Sequence, residues 1–201
     1  MEERFVEKFN NPDTFTDITV KCENEEYACH RLVLLSESKV FKAMFSHENM
    51  VENQTRCITI PDCKAVHAKL ALEMAYGRHL EPTAHVRQVL GVLKFAEKYD
   101  MQRVKNEGET VLSHQLPDMS AQSVASVLIY ADKHNATLVK KKALDVLLVK
   151  LDDSNQNDIF TYICSTEPRN RFLMVDVASA IQMRYMAIKK RYAEHMERRQ
   201  N

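Results

Sequence analysis

The chain has 201 residues, of which 45% are hydrophobic, and its 28 basic residues balance 28 acidic ones for a formal net charge of +0. This length allows one or two packed domains, and the balanced charge gives no global attraction toward nucleic acid or a membrane. No apolar run approaches the roughly 20 residues that span a bilayer. The charged N-terminus, MEERFVEKF, has too few apolar residues for a signal peptide.

The first part of the chain predicts a mixture of strands and helices. An amphipathic helix over residues 2–9 is followed by Ile18, Val20 and Cys22, which alternate with polar residues as in a half-buried strand. A polar turn at residues 23–26 returns the chain as a second strand, so we expect a hairpin. The remaining predicted elements are a short apolar run at 32–35, a helix capped by Ser38, a polar loop at 46–55, a strand at 56–60, and helices up to residue 116.

The second part of the chain predicts helices alone. Pro117 and Asp118 mark the predicted boundary. Beyond them we expect a helix around residues 124–131, a helix capped by Thr137, a short helix at 159–164 and a long basic helix from Phe172. The pattern therefore indicates an α+β domain at 1–117 and a helical region at 118–201.

Cysteine and histidine offer little support for an enzyme or a metal protein. Five cysteines without CxxC spacing indicate reduced thiols in an intracellular protein. Cys29 and His30 are adjacent, but neighbours on a strand point to opposite faces, so a nucleophile–base pair is not expected. The cysteines and the scattered histidines also lack the paired spacing of zinc ligands. We therefore predict no catalytic residue, no bound metal and no cofactor, and we interpret the basic clusters as solvated helix faces.

Two features favour protein interaction instead. Asp17 begins a strand and Arg31 follows the hairpin, so the two charges must pair if both are partly buried; otherwise they are two exposed charges. Met50, Val51 and Glu52 place apolar residues beside an acid in a polar loop. Such a loop either carries one solvated methionine or presents an anchor for a partner's pocket, with the acid pairing at its rim.

Several motifs resemble those of the BTB/POZ family. The run from Phe15 to Ile18 resembles F-x-D-hydrophobic, Cys29 to Leu34 resembles A-H-[KR]-x-hydrophobic-L, and Ser38 to Phe45 resembles S-x-x-F-x-x-M-F. Farther along, residues 127–140 resemble the helices that follow the BTB domain in speckle-type POZ proteins, the three-box and the start of a BACK-like region. The resemblance implies a BTB/POZ fold, a small mainly antiparallel sheet capped by helices, followed by an all-helical BACK-like region.

The resemblance also implies partners and sites. It implies a homodimer, or pairing with related BTB proteins, through an interface that includes Phe5, Val6, Phe9, Asp17, Arg31 and Leu32. It implies that Met50, Val51 and Glu52 bind the scaffold protein cullin-3. Speckle-type proteins carry a substrate-binding MATH domain before the BTB domain, and we expect none in this chain because Phe15 lies so close to its start.

These observations lead to one hypothesis and two alternatives. The hypothesis is a dimeric, non-enzymatic substrate adaptor of a cullin-3 RING ubiquitin ligase that binds an unknown protein substrate in the nucleus or cytoplasm, with no role for nucleic acid or membrane. The first alternative is a BTB oligomerisation scaffold, or a regulator of MATH–BTB relatives, that does not bind a cullin. The second alternative, an enzyme or metal protein, rests only on the cysteines and histidines.

Overall fold

The structure is a computed structural model that describes residues 6–46, 50–134, 136–151, 156–166, 173–183, 186 and 190. Its contacts divide the chain into two compact units, residues 1–114 and 115–201. The first unit contains the sheet together with helices, and the described part of the second contains helices alone. The predicted α+β class is therefore confirmed.

A three-stranded sheet forms the start of the first unit. Its strands are β1 (Ile18–Cys22), β2 (Glu25–Cys29) and β3 (Cys57–Ile60), in the order β2-β1-β3. The predicted hairpin is confirmed, since β1 and β2 pair antiparallel. β3 pairs parallel to β1, because the chain crosses through helices before it returns to the sheet. The described sheet thus has one antiparallel and one parallel pairing.

In the described part of the first unit, six α-helices accompany the sheet. They are α1 (Arg31–Glu37), α2 (Lys39–Ser46), α3 (Val51–Thr55), α4 (Ala65–Ala75), α5 (Val86–Lys98) and α6 (Gln102–Gln115). The predicted cap at Ser38 is confirmed, because its Oγ accepts the N–H of Phe41 at 3.0 Å. Ser38 is itself buried, and its hydroxyl donates to the carbonyl of Tyr99, so one side chain both starts α2 and ties it to the end of α5.

The chain differs from the sequence-based expectation at residues 46–55. A polar loop was expected there, but residues 51–55 form α3. Five residues are too few to show a helical period, and none of them is buried, so no apolar stripe marks this helix. The hydroxyl of Thr55 donates to the carbonyl of Val51 at 2.8 Å, which adds a local bond to the single turn.

Helices α4 and α5 approach each other closely. Gly91 on α5 is buried against His67 on α4, and a Cβ added at Gly91 would overlap the imidazole ring. α4 ends at Ala75, and Gly77 beyond it has a φ of 96°, which confirms the predicted left-handed position. These two glycines therefore fix how closely α4 packs and where it ends.

The second unit is a set of packed helices. Its described helices are α7 (Ala121–Lys133), α8 (Thr137–Lys150), α9 (Gln156–Thr166) and residues 173–183. Thr137 was predicted to cap α8, but it is the first helical residue and Ala136 takes the cap position. The Nζ of Lys140 lies 2.7 Å from carboxylates of both Asp132 and Asp176, so one cation joins three helices. Across the described residues, no helix is both long and apolar enough to cross a membrane.

Candidate protein-interaction surface

The tip of α3 carries the residues that the sequence singled out as an anchor. Met50 occupies the N-cap position of α3 and its side chain is 42% exposed, while Val51 is 66% exposed. Glu52 follows in the first turn and is half-buried. Two neighbouring apolar side chains with an acid beside them are therefore accessible on one short helix.

Hydrogen bonds at both ends hold α3 in place. The side-chain amide of Asn53 donates to the carbonyl of Phe45 at 3.4 Å, which links α3 to the end of α2. After the helix, Arg56 has a φ of 52°, and its carbonyl accepts the N–H of Thr19 on β1 at 2.9 Å. The exposed tip is therefore attached to the sheet rather than carried on a free loop.

A pocket of about 160 Å³ lies next to this tip. It is lined by Asp17, Ile18, Arg31, Phe45, Glu52, Asn53 and Arg56. Ile18 and Phe45 are buried and form apolar walls, whereas the charged residues belong to four different elements or their ends. The pocket is large enough for one side chain of a partner, and it lies directly beside Glu52.

Asp17 and Arg31 meet, but not through an ion pair of their side chains. The carboxylate of Asp17 accepts the backbone N–H of Arg31 at 2.7 Å. The guanidinium of Arg31 donates to the carbonyl of Phe45 at 3.0 Å and lies over the Phe45 ring, 4.6 Å from its centre. Asp17 is exposed and Arg31 is half-buried. The pair therefore fixes the junction between hairpin and α1 and lines the pocket.

His30 ties the loop before β1 to the core. The hydroxyl of Tyr76 accepts the backbone N–H of His30 at 2.6 Å and lies 2.9 Å from its Nδ1. The Nε2 of His30 lies 2.6 Å from the carbonyl of Thr14. Because a carbonyl can only accept, Nε2 carries a proton, and Tyr76 donates to Nδ1 when that nitrogen has none. The next residue, Phe15, has a φ of 60° and is 94% exposed.

The predicted dimer-interface residues differ in how exposed they are. Phe9 is buried and packs 5.9 Å from the Tyr27 ring and 5.4 Å from the Tyr76 ring, within its own unit. Leu32, in contrast, is 77% exposed on α1. Val6 is half-buried, and Phe5 lies outside the described residues. Among the described members of this set, Leu32 is thus the most exposed apolar side chain, and the role of all six residues at an interface stays a prediction.

The thiol and imidazole of Cys29 and His30 are arranged for packing rather than catalysis. Burial, followed by the charge of Asp17, raises the pKa of the Cys29 thiol from 9.0 to about 12. At neutral pH the thiol is therefore protonated and a poor nucleophile. Both ring nitrogens of His30 already have hydrogen-bonding neighbours. No group of three or more His, Cys, Asp or Glu side chains within the described ranges is placed to hold a metal ion.

The family model of the BTB/POZ domain matches residues 6–116, just over half of the chain. The chain belongs to the BTB/POZ family. The match spans the sheet, α1 to α6 and the start of the second unit. A BTB domain is a protein-interaction domain that forms homo- or hetero-oligomers and binds partner proteins, so the exposed side chains around α3 and α1 are candidate contacts.

Curated relatives each match just over half of the chain. BTB and MATH domain-containing protein 42 of Caenorhabditis elegans is 30% identical over 104 residues, which are 52% of this chain and 25% of that protein. TD and POZ domain-containing protein 4 of Mus musculus is 28% identical over 116 residues, 58% of this chain and 31% of that protein. ARM repeat protein interacting with ABF2, of Arabidopsis thaliana, is 27% identical over 110 residues, 55% of this chain and 15% of that protein. The chain thus spans about a third or less of these relatives.

Two residues of this surface were not among the sequence-based site predictions. Arg56 lines the pocket and Phe15 is the most exposed large apolar side chain in the described part of the first unit. Both have a positive φ, which turns the chain sharply. Neither is a glycine or an asparagine, the residues that usually indicate such a turn, so the sequence carries no local signal for their placement.

Proposed function

We propose that this BTB protein is a dimeric adaptor of a cullin-3 RING ubiquitin ligase that performs no bond chemistry itself. The observation that supports the proposal is the α3 tip, where Met50 and Val51 are exposed beside Glu52 on a helix fastened to the core. This segment also carries the hydrophobic-x-Glu element of BTB proteins that bind cullin-3. A substrate held by the adaptor would reach the ligase at a raised effective concentration, and a dimer would double the valency.

The chemistry of the tip suits a binding anchor. Met50 is flexible and polarisable, so it can adapt to a concave apolar pocket on the cullin, while Val51 adds a stiff contact beside it. Glu52 is placed to accept charged hydrogen bonds at the rim of that pocket. The attachment of α3 to β1 and α2 lowers the entropy lost on binding, because the helix is already ordered.

The test is calorimetry of the full chain with the N-terminal domain of cullin-3. We expect the double variant Met50→Ala and Glu52→Ala to weaken binding by about 100-fold or more, as is common when two central anchors are removed. Val66→Ala is the matched control, because Val66 is 56% exposed on α4, away from the tip in sequence. The control is expected to bind like the wild type.

Light scattering of the same samples separates loss of binding from loss of assembly. The double variant is expected to retain the molar mass of the wild-type oligomer. If the affinity of the double variant equals that of the wild type, α3 is not the cullin contact and the proposal is wrong.

A second candidate function is an oligomerisation module that lowers the valency of related proteins by forming mixed dimers with them. The relatives of similar sequence include a BTB and MATH domain-containing protein, which carries a domain besides BTB. The exposed Phe15 and Leu32 offer apolar contacts for such pairing. A pull-down with this chain can test for cullin-3 and for MATH–BTB proteins separately. Capture of a MATH–BTB protein without cullin-3 supports this function over the adaptor function.

The helices of the second unit belong to the same proposal. We assign residues 118–201 to a three-box and BACK-like region with a long C-terminal helix, on the resemblance of residues 127–140 to speckle-type POZ proteins. Such an adaptor would act in the nucleus or the cytoplasm, where cullin ligases and reduced cysteines are both found.

A further inference from the structure

Two cysteines meet at one end of the sheet. Cys22 is the last residue of β1 and is buried, and its register partner on β3 is Ile60. Cys63 lies three residues beyond Ile60, in the loop that leads to α4. The thiol of Cys22 donates to the backbone carbonyl of Cys63 at 3.0 Å, across 41 positions of sequence. The two residues are therefore direct neighbours in the folded chain.

The side chains of this pair also interact with each other. Burial, followed by the charge of Cys63, raises the pKa of the Cys22 thiol to about 11, and a side-chain hydrogen bond to Cys63 contributes. Burial, then the carboxylate of Asp62, raises the pKa of the Cys63 thiol, and the hydrogen bond from Cys22 opposes that rise. Each thiol is thus close enough to the other to shift its pKa.

The other cysteines are placed differently. Cys29 pairs with Ile18, at the opposite end of β1 from Cys22, which is about 13 Å along a strand of this length. Cys57 pairs with Thr19, about 10 Å along the strand from Cys22. Cys164 belongs to the second unit. Among the described residues, the geometry favours Cys63 as the partner of Cys22.

We propose that Cys22 and Cys63 form an intramolecular disulfide when the protein meets a peroxide. Cys63 is half-buried and reacts first, although slowly, because its raised pKa leaves little thiolate at neutral pH. That thiolate attacks one peroxide oxygen, the O–O bond breaks, and a sulfenic acid forms as the released hydroxide takes up a proton and leaves as water. The sulfur of buried Cys22 then attacks that sulfur, the S–S bond forms, and the proton of the Cys22 thiol passes to the leaving hydroxyl, which departs as a second water. The two sulfurs lose two electrons in total, and the peroxide accepts them.

Two further hydrogen bonds hold the segments that carry the two cysteines next to each other. The carboxylate of Glu23, next to Cys22, accepts the N–H of Ala65 at 2.9 Å, and the hydroxyl of Tyr27 donates to the carbonyl of Ala65 at 3.1 Å. These bonds keep the start of α4 against the end of β1. A disulfide here would close a loop of 41 positions without moving either element far.

The test is thiol mapping of the full chain after treatment with a small excess of hydrogen peroxide. Free thiols are alkylated, and the protein is digested and analysed by mass spectrometry. Trypsin alone leaves Cys22 with Cys29, and Cys57 with Cys63, on single peptides. Glu-C, which cuts after Glu25, and Asp-N, which cuts before Asp62, separate all four.

We expect a cross-linked peptide that joins Cys22 to Cys63 and lacks two hydrogen atoms relative to the reduced pair. The cross-link should disappear in Cys63→Ser and persist in the matched controls Cys57→Ser and Cys164→Ser. The oxidised wild type should unfold at a temperature several degrees higher than the reduced protein, because the bridge restricts the unfolded chain. Neither result depends on cullin binding.

A variant that changes the rate of cross-linking provides a further test. Asp62→Asn removes the carboxylate that raises the pKa of Cys63, so more thiolate is present at neutral pH and the cross-link should form several-fold faster. Alkylation of both Cys22 and Cys63 as free thiols in peroxide-treated wild-type protein would overturn the proposal. So would a cross-link found only between two chains.

Discussion

At the scale of single residues, the hydroxyl of Tyr76 connects the end of α4 to His30. It accepts the backbone N–H of His30 and pairs with the His30 ring, whose other nitrogen bonds the carbonyl of Thr14. Through this chain of bonds, a side chain at the end of α4 holds the loop that displays Phe15. The ring of Tyr76 is fully buried, so the bonds cannot be replaced by water without a rearrangement.

Removing this hydroxyl should therefore be costly. We expect Tyr76→Phe to lower the free energy of unfolding by about 1–2 kcal/mol, because it removes the acceptor of the part-buried N–H of His30. Urea denaturation measures the change. Tyr27→Phe is the matched control, since the Tyr27 hydroxyl makes a single recorded hydrogen bond, to the carbonyl of Ala65. Equal losses for the two variants would contradict the role given to Tyr76.

The buried thiol of Cys29 predicts a pH dependence in the alkaline range. Its pKa is about 12 in the folded protein and 9.0 in an exposed thiol. Between these values the unfolded chain has lost the proton and the folded chain retains it. The folded state therefore binds more protons, and the free energy of unfolding falls as the pH rises. The stabilisation that the protonated Cys29 thiol gives the folded state is complete below pH 9 and is lost as the pH approaches 12.

Urea denaturation under reducing conditions, from about pH 8 to pH 11, tests this expectation. For each buried thiol, the free energy of unfolding falls by at most about 1.4 kcal/mol per pH unit. Cys29→Ala removes one such group and should flatten the curve, although Cys22 and Tyr27, with pKa values raised to about 11 and 12 chiefly by burial, keep a slope of the same sign. If the free energy of unfolding varies with pH in parallel for the wild type and Cys29→Ala, Cys29 does not contribute to the pH dependence.

At the scale of elements, the packing of α4 on α5 depends on the absence of one methyl group. Gly91 is buried, and the His67 ring occupies the space where a Cβ would lie. An alanine there gains about 1 kcal/mol of helix propensity. It also forces the two helices or the ring to move, which commonly costs 1–3 kcal/mol.

We expect Gly91→Ala to destabilise the protein by up to about 2 kcal/mol in chemical denaturation. Its partner variant, His67→Ala, removes the obstructing ring, so the double variant should be more stable than the sum of the single changes predicts. Gly108→Ala is a milder comparison, because its Cβ would meet only the flexible end of Leu93 at 2.8 Å. A purely additive double variant would disprove the proposed contact.

The α3 helix shows why a short element escapes prediction. Its existence depends on the carbonyl of Arg56 reaching β1 and on the amide of Asn53 reaching the end of α2. Phe45 lies eight positions from Asn53, and Thr19 is far from Arg56 in sequence, so both bonds exceed the span of a helical turn and no local periodicity indicates them. The residues that a partner would contact, Met50, Val51 and Glu52, were nonetheless recognisable, because apolar residues beside an acid stand out in a polar segment.

At the scale of the whole molecule, assembly is the property with the greatest consequence for function. BTB domains form oligomers, and the first unit exposes Phe15 and Leu32, which are 94% and 77% exposed. A two-fold interface brings the same patch of both copies together. A charged residue introduced into such an interface would be buried in both copies without an opposite charge beside it, which destabilises the dimer.

Light scattering can test whether Leu32 lies in the dimer interface. We expect the wild type to have the mass of a dimer and Leu32→Asp to shift it toward the monomer at micromolar concentration. Val66→Asp is the matched control, because Val66 is also an exposed apolar residue on a helix of the same unit, at 56% exposure. Dissociation by the control alone would place the interface on α4 instead.

The sequence by itself determined the α+β class, the β1–β2 hairpin, the cap at Ser38 and the membership in the BTB family. These depend on local periodicity and on short motifs, which a chain displays before it folds. Tertiary structure alone decided the parallel pairing of β3, the helical state of α3, the burial of Phe9 beside Tyr27 and Tyr76, and the meeting of Cys22 with Cys63. Each of these joins groups far apart in sequence, and such contacts leave no pattern in the neighbouring residues.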